Sequence, residues 1–454
     1  MPTLRWPNLW PAGAALGCAF LTSCNLFETP APTPLNIEIC GSSTLGARLM
    51  PRLATRWLGK SYAFADATAL DKGVRWCVEG TPEGGVLTEI CVTYESSGSG
   101  LEGVKNGTCD IGMYSGPWET IRDANPGVEG HNVGSDAIMI VTGSSGSELE
   151  DAIALPTLTQ WYAGEALPEG LRVLQRAESG SGTSAAFRDL LGLDELKGGA
   201  TVSADDFTEV GKQGGFFVYY VSAQEQLEQG GFRFLEVKAN DEGEALEPSV
   251  YNIDHGYPLA RPLRLLTKGV TGPAADFVAW TKSADARAVF EPLFMAHVTS
   301  QDVQAAPITE ACPESPVTTD VAGSRLGTVY FGPGDGAEPR DDWQMGPILR
   351  ASIAAAQRMG KDLAVVGYTN DSEAILEAEC REARQRAELV HLVLEGELKY
   401  MPPETNPPGL RPLIIGGPTK AWGPDSADNH ATIIMAVDRL EEPLEAPEGE
   451  PTAN

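Results

Sequence analysis

Apolar strand-like runs alternate with helix-period stretches from Leu35 to about Val303, the pattern of an α/β domain. Helical patterning covers Leu45–Trp57, Ala185–Leu191 and Ala274–Ala296. At three places a strand-like run breaks into Gly, Ser and Thr just before a helical stretch begins. Asn36–Cys40 runs into Gly41-Ser42-Ser43-Thr44, Ile90–Tyr94 into Ser96–Gly100, and Leu171–Arg176 into Ser179–Thr183. Small hydroxyl residues at a helix start gather backbone N–H groups, hydroxyls and the positive end of the helix dipole around one point. One such junction is ordinarily a turn or an N-cap. Three, each at the carboxyl end of a strand, point to a convergent oxyanion site.

Beyond this region, residues 303–322 are rich in Pro and Thr and read as a linker. A shorter unit follows: strand Gly327–Phe331, helix Ile348–Met359, strand Leu363–Gly367, helix Ile375–Leu394, then strands near Leu413–Gly416 and Ala431–Val437. This β-α-β-α-β-β order predicts a compact α+β domain over residues 323–440. The segment 441–454 is acidic, without a basic residue, and is expected to be disordered.

The chain has 454 residues, which exceeds one ordinary core and calls for two or three domains. Its 50 Gly and 33 Pro imply many loops. A net charge of −30 argues against nucleic acid or an anionic membrane surface as partner. It does not exclude an anion ligand, because salt screens exposed charges beyond roughly 8–10 Å.

At the N-terminus, Arg5 precedes an apolar stretch through Ala14-Ala15-Leu16 to Phe20, then Leu21-Thr22-Ser23-Cys24. Residues 1–24 resemble a bacterial lipoprotein signal peptide with its lipobox, which implies cleavage before Cys24 and lipidation of that cysteine. Asn25 resembles the outer-membrane sorting class, and residues 25–35 read as a Pro-rich tether. The apolar run is short for a membrane span. Such a leader places the other cysteines in an oxidising compartment. Cys77 and Cys91 lie symmetrically about Gly84, so a hairpin closing there would join them in a disulfide. Cys40, Cys109, Cys312 and Cys380 allow three pairings; Cys40 and Cys109, each ending a short apolar run, are the first pair to expect. There is no C-x-x-C or H-x-x-x-H, and the five histidines are scattered, so neither a metal site nor a cofactor is expected.

Several ordered motifs over residues 36–302 are similar to those of the periplasmic phosphate-binding proteins of ABC transport systems. The resemblance implies a two-lobed type II solute-binding fold, α/β in class. Ser42, Ser43 and Thr44 look like the family's first phosphate loop. Ser97, Gly98 and Ser99, with Lys105–Gly112 behind them, look like the second, and Ser115 follows the Asp-Ile-Gly strand. Gly134–Val141 resembles the strand that crosses between lobes, and Tyr257-Pro258-Leu259-Ala260-Arg261-Pro262 a late segment of the family. Arg176, Glu178, Ser181, Gly182 and Thr183 look like its Arg–Asp–Gly-Ser-Gly-Thr signature. By chemistry, Arg176 offers a guanidinium fork matched to phosphate oxygens. Glu178 could accept the proton of a hydrogenphosphate and so discriminate against sulfate. Ser115 is followed by Gly116-Pro117 where the family often carries Asp or Arg.

The C-terminal unit resembles the OmpA-like peptidoglycan-binding domain, through Val366–Asp371 and the Arg384–Val390 helix. In that family an aspartate and an arginine clasp the diaminopimelate of the wall peptide, which implies that role for Asp371 and Arg386. The family's late Asn-Arg-Arg stands here as Asn429-His430-Ala431.

Catalysis is not expected. No G-x-S-x-G elbow is present, and the serine-rich loops lack a neighbouring histidine to activate them. The sequence therefore reads as an outer-membrane, periplasmic-face lipoprotein that binds phosphate or a similar oxyanion and holds peptidoglycan. An extended Ala306–Thr319 would reach only about 50 Å, a short tether for delivery to a permease. The competing reading is a structural or interaction protein of the envelope with a degenerate, non-transporting lobe pair.

Overall fold

The computed structural model describes residues 33–60, 72–143, 149–165, 167–176, 181–197, 199–202, 216–222, 232–298, 312, 323–332, 339, 342–370, 376–412, 414–419 and 429–439. The leader and Cys24, Glu178, Asp371 and the acidic tail lie outside them.

The first lobe is built from β1 (Leu35–Gly41), α1 (Ser43–Gly46), α2 (Leu49–Trp57), β2 (Trp76–Gly80), β3 (Thr88–Tyr94), α3 (Ser97–Asn106), β4 (Ile111–Tyr114), α4 (Trp118–Ile121) and β5 (Glu129–Gly143). In β1, Ile37 and Ile39 face the core while Asn36 and Glu38 face out, the period-2 alternation of a strand. The chain then enters a second lobe: β6 (Ala152–Ala154), α5 (Leu155–Tyr162), β7 (Arg172–Arg176), α6 (Gly182–Leu190), β8 (Ala200–Val202), β9 (Phe217–Ser222), β10 (Phe232–Lys238), β11 (Ala245–Leu246) and α7 (Val250–Asp254). Every residue of β9 is buried, as its unbroken apolar run requires of a central strand. The return to the first lobe comprises β12 (Ala260–Thr267), α8 (Pro273–Trp280), α9 (Ala284–Phe290) and β13 (Ala296–His297).

One strand path, β2-β3-β1-β4-β12-β5-β9-β7-β8, runs through both lobes. The long β5 makes this possible: residues 129–137 pair with β12, and 138–141 pair with β9. The second crossing is the segment leading into β12, where Ile138 N–H donates to Leu259 O at 2.9 Å and Tyr257 OH donates to Ile138 O at 3.1 Å.

Two helical expectations are corrected. Leu45–Trp57 is two helices, because Pro51 cannot donate a hydrogen bond back to Ala47 and sits instead in the first turn of a new helix. Ala274–Ala296 is also divided: Thr281–Ser283 separates α8 from α9, and a short 3₁₀ turn over Glu291–Leu293 ends at Phe294 (φ 58°) before β13 pairs with β5.

The C-terminal unit contains β14 (Ser324–Tyr330), α10 (Asp342–Met359), β15 (Asp362–Asn370), α11 (Leu376–Lys399), β16 (Ile414–Thr419) and β17 (Ala431–Val437), the expected β-α-β-α-β-β order. Its sheet order is β14-β17-β15-β16, with only β15 and β16 parallel. It packs on the two lobes: Leu349, Ala355 and Leu363 share one apolar cluster with Tyr219 and Ile253 of the second lobe and with Phe294 and Ala296 of the first.

Disulfides join Cys77 to Cys91, which are direct partners across β2 and β3, and Cys40 to Cys109. The third joins Cys312 to Cys380 on α11. Among the described residues no helix is long and apolar enough to cross a membrane.

Candidate functional site

Each loop that follows β1, β3 and β4 delivers one buried serine to a common point. Ser42 stands before α1, Ser97 opens α3, and Ser115 follows β4; their exposures are 2%, 3% and 1%. The Ser42 and Ser115 hydroxyls lie 2.9 Å apart, and those of Ser97 and Ser115 3.2 Å. Ser97 Oγ also accepts from the Ser115 N–H at 3.1 Å.

The second lobe meets this cluster with the start of α6. A Cβ at Gly182 would lie 2.1 Å from Ser97 Oγ and 2.8 Å from Ser115 Oγ, so only a bare backbone fits there. Ser181 caps the helix by accepting from Ser184 N–H at 3.3 Å, and Thr183 is buried behind it. Beside this contact the lobes enclose a cleft of about 480 Å³. Arg176 lines it at the end of β7, with Arg188, Glu195, Gln175, Tyr114 and Tyr220. Ser184 and Tyr220 share a 2.9 Å hydrogen bond that fixes the wall near Arg176. Burial, with Asp189 nearby, pushes the Tyr114 phenol up to about 12, so it stays a neutral donor at physiological pH.

The predicted residues divide accordingly. Ser42, Ser97, Ser115 and Gly182 converge, and Gly98, Arg176 and Ser181 line the adjoining cleft. Thr44 is buried in the first turn of α1. Ser43 faces solvent. Ser99 turns its hydroxyl to its own helix start, donating to Ser96 O at 2.8 Å within a capping box. Glu178 lies outside the described residues.

A buried ion pair beside Thr44 carried no assigned role in the sequence. Arg261 Nε donates to Asp136 Oδ1 at 2.7 Å and Nη2 to Oδ2 at 2.9 Å, with exposures of 2% and 0%. Nη2 also reaches Thr44 Oγ1 at 3.2 Å. The two residues are register partners on β12 and β5, the strands that cross between lobes. The signal in the sequence is a charge set directly against an apolar run in each strand, Asp136 before Ala137–Val141 and Arg261 before Leu263, a position that demands a partner.

A second polar cluster lies in the C-terminal unit. Arg386 is 1% exposed; it donates to Thr369 Oγ1 and Glu382 Oε2, each at 3.2 Å, and lies 3.3 Å from His430 Nδ1. Among the described residues, the cluster that brings metal-ligand types together is Cys77, Glu89 and Cys91, and its two sulfurs are disulfide-bonded.

By sequence, residues 85–285 match the PBP superfamily domain, which puts a periplasmic-binding-protein-like α/β fold on the N-terminal part of the chain. Distant structural likenesses include a proposed phosphate ABC transporter substrate-binding protein with bound phosphate from Clostridium perfringens (17% identity, 58% of this chain and 100% of that one, TM-score 0.42). Others are an ABC-type phosphate transport receptor from Vibrio cholerae (19%, 57% and 99%, 0.42) and PstS from Borrelia burgdorferi (17%, 58% and 98%, 0.37). Among curated proteins none matches the chain.

Proposed function

We propose that the two-lobed domain is an oxyanion receptor, with phosphate as its ligand, carried on an envelope lipoprotein. The observation that carries this reading is the convergence of the Ser42, Ser97 and Ser115 hydroxyls on the N-terminus of α6. Hydroxyls and helix-start N–H groups donate to an anion without bringing a competing charge. Arg176 supplies the counter-charge in the adjoining cleft. Binding proceeds by lobe closure about β5 and the Tyr257–Arg261 crossing.

The proposed assembly places a lipid on Cys24 at the periplasmic face of the outer membrane and a wall-peptide grip at Asp371 and Arg386, in an OmpA-like C-terminal domain. The β-α-β-α-β-β order and the buried Arg386 cluster support that reading. The competing reading, a non-transporting interaction protein, is favoured by one feature: the serine hydroxyls already bond one another, with Gly182 packed against them.

Phosphate retention separates the two. Full-length protein purified without added phosphate, then denatured, should release close to one phosphate per chain in a molybdate assay. An Arg176→Ala variant should release much less. Release of none by the native chain would favour the interaction-protein reading. Co-sedimentation with purified sacculi, reduced in Arg386→Ala, tests the wall grip.

A further inference from the structure

The C-terminal domain grips both lobes, each by separate ion pairs. Toward the second lobe, Arg350 Nε donates to Glu247 Oε1 at 2.6 Å, and Arg358 bonds Glu244 Oε1 at 2.5 Å and Asn252 Oδ1 at 3.1 Å. Both arginines stand on α10, and their acceptors flank β11 and lie on α7, just before the chain crosses back. Toward the first lobe, Arg325 on β14 pairs with Glu291 at 2.8 Å, with both side chains largely buried. Glu291 lies beyond that crossing, next to Phe290 and Leu293 in the core of the first lobe. A cavity of about 290 Å³ marks where the three bodies meet, lined by Asp254 and His255, by Glu291 and Phe294, and by Leu326 and Ile348.

We propose that the C-terminal domain is a brace across the hinge, which favours the closed lobes and so couples anion binding to its own docking. The inference rests on the two-lobed receptor reading. α10 packs on β14 through Leu326, Val329, Ile348 and Leu349, so the two move as one body. A change of lobe angle therefore carries Glu291 away from Glu244 and Glu247, and one set of pairs must break. In this structure both sets are engaged while Gly182 sits against Ser97, so the brace matches the closed arrangement. Linkage is reciprocal: a brace that favours closure tightens anion binding, and a bound anion tightens docking.

The test uses the full chain carrying spin labels on noncanonical residues at Asp123 in the first lobe and Lys197 in the second, both exposed. Interlobe distances are measured by pulsed electron resonance without added anion. Arg350→Glu with Arg358→Glu, at partly exposed positions that should leave folding intact, is expected to lengthen and broaden the distribution. Adding Glu244→Arg and Glu247→Arg should restore it. Unchanged distances in the first variant would overturn the brace, whether or not phosphate binds. Phosphate titration of the same proteins gives the coupling, expected to be a loss of affinity of at least about 5-fold on breaking the brace. Equal affinity in native and variant chains would also overturn it. Failure of the native chain to bind phosphate would instead remove the receptor reading, while the distance result still decides the brace.

Discussion

Gly182 and Ser97 mark where the two lobes touch, and a single methyl tests that contact. Gly182→Ala would set a Cβ 2.1 Å from Ser97 Oγ, so the lobes should no longer close fully. The expected outcome is weaker anion binding with little change in the melting temperature, read by titration and by thermal unfolding. Arg261 is the opposite case, a residue on which the fold depends. Arg261→Met removes both guanidinium hydrogen bonds from the fully buried Asp136 carboxylate, a loss of about 3–5 kcal/mol that chemical denaturation would measure. Glu247 gives a pH signature. Burial lifts its carboxyl from 4.5 to about 7; the half-exposed Arg350 answers only one oxygen, and Glu236 adds repulsion. A raised folded value stabilises fully below the unfolded value, and that stabilisation is lost as pH rises through about 7. Glu247→Gln removes the dependence. Its melting temperature should exceed the native one most at pH 8, with the gap shrinking towards pH 5. Residue types at the site were legible because hydroxyls cluster at the strand ends; their orientation was not. Ser43 and Ser99 share the composition of Ser42 and Ser97, yet one faces solvent and the other caps its own helix, a choice set by tertiary packing.

At the scale of elements, the cysteines did more to define the first lobe than any helix did. The Cys77–Cys91 bridge followed from hairpin symmetry alone, because directly opposed strand positions bring Cβ atoms within bonding reach. The Cys40–Cys109 bridge is less legible in the sequence, since only the fold shows that β1 and the turn after α3 are neighbours. Removing that bridge, with Cys40→Ala and Cys109→Ala together, should lower stability by about 2–5 kcal/mol in urea unfolding, because it closes a long loop. Helix breaks were read less well. Apolar periodicity continues through Ala47–Arg48, where a proline without an N–H interrupts the helix, and on to Ala296, where the pairing of β13 with β5 replaces the helix with a strand. The extent of β5 is likewise not apparent in the sequence, because its first residues, Glu129–Asn132, are polar and largely exposed and do not show the apolar pattern of a strand.

For the whole molecule, the Pro/Thr-rich stretch at 303–322 suggested domains held apart, whereas the C-terminal unit shares an apolar cluster with the lobes. Charges hidden in an acidic chain explain why the sequence does not display this docking. Three arginines of the C-terminal domain face three glutamates of the lobes, and in a sequence with 63 acidic residues those glutamates look like solvated surface. Two lobes joined by two crossings, and a third body holding both, form a device whose purpose rests on what closes it. The direct measurement is calorimetric titration of phosphate into the full chain after bound ligand has been stripped, with sulfate as the control. The account predicts tight one-to-one binding of phosphate over sulfate, weakened by Arg176→Ala and by Gly182→Ala. Heat from neither anion in a chain shown to be folded would contradict it, and would leave an envelope interaction protein with closed, silent lobes.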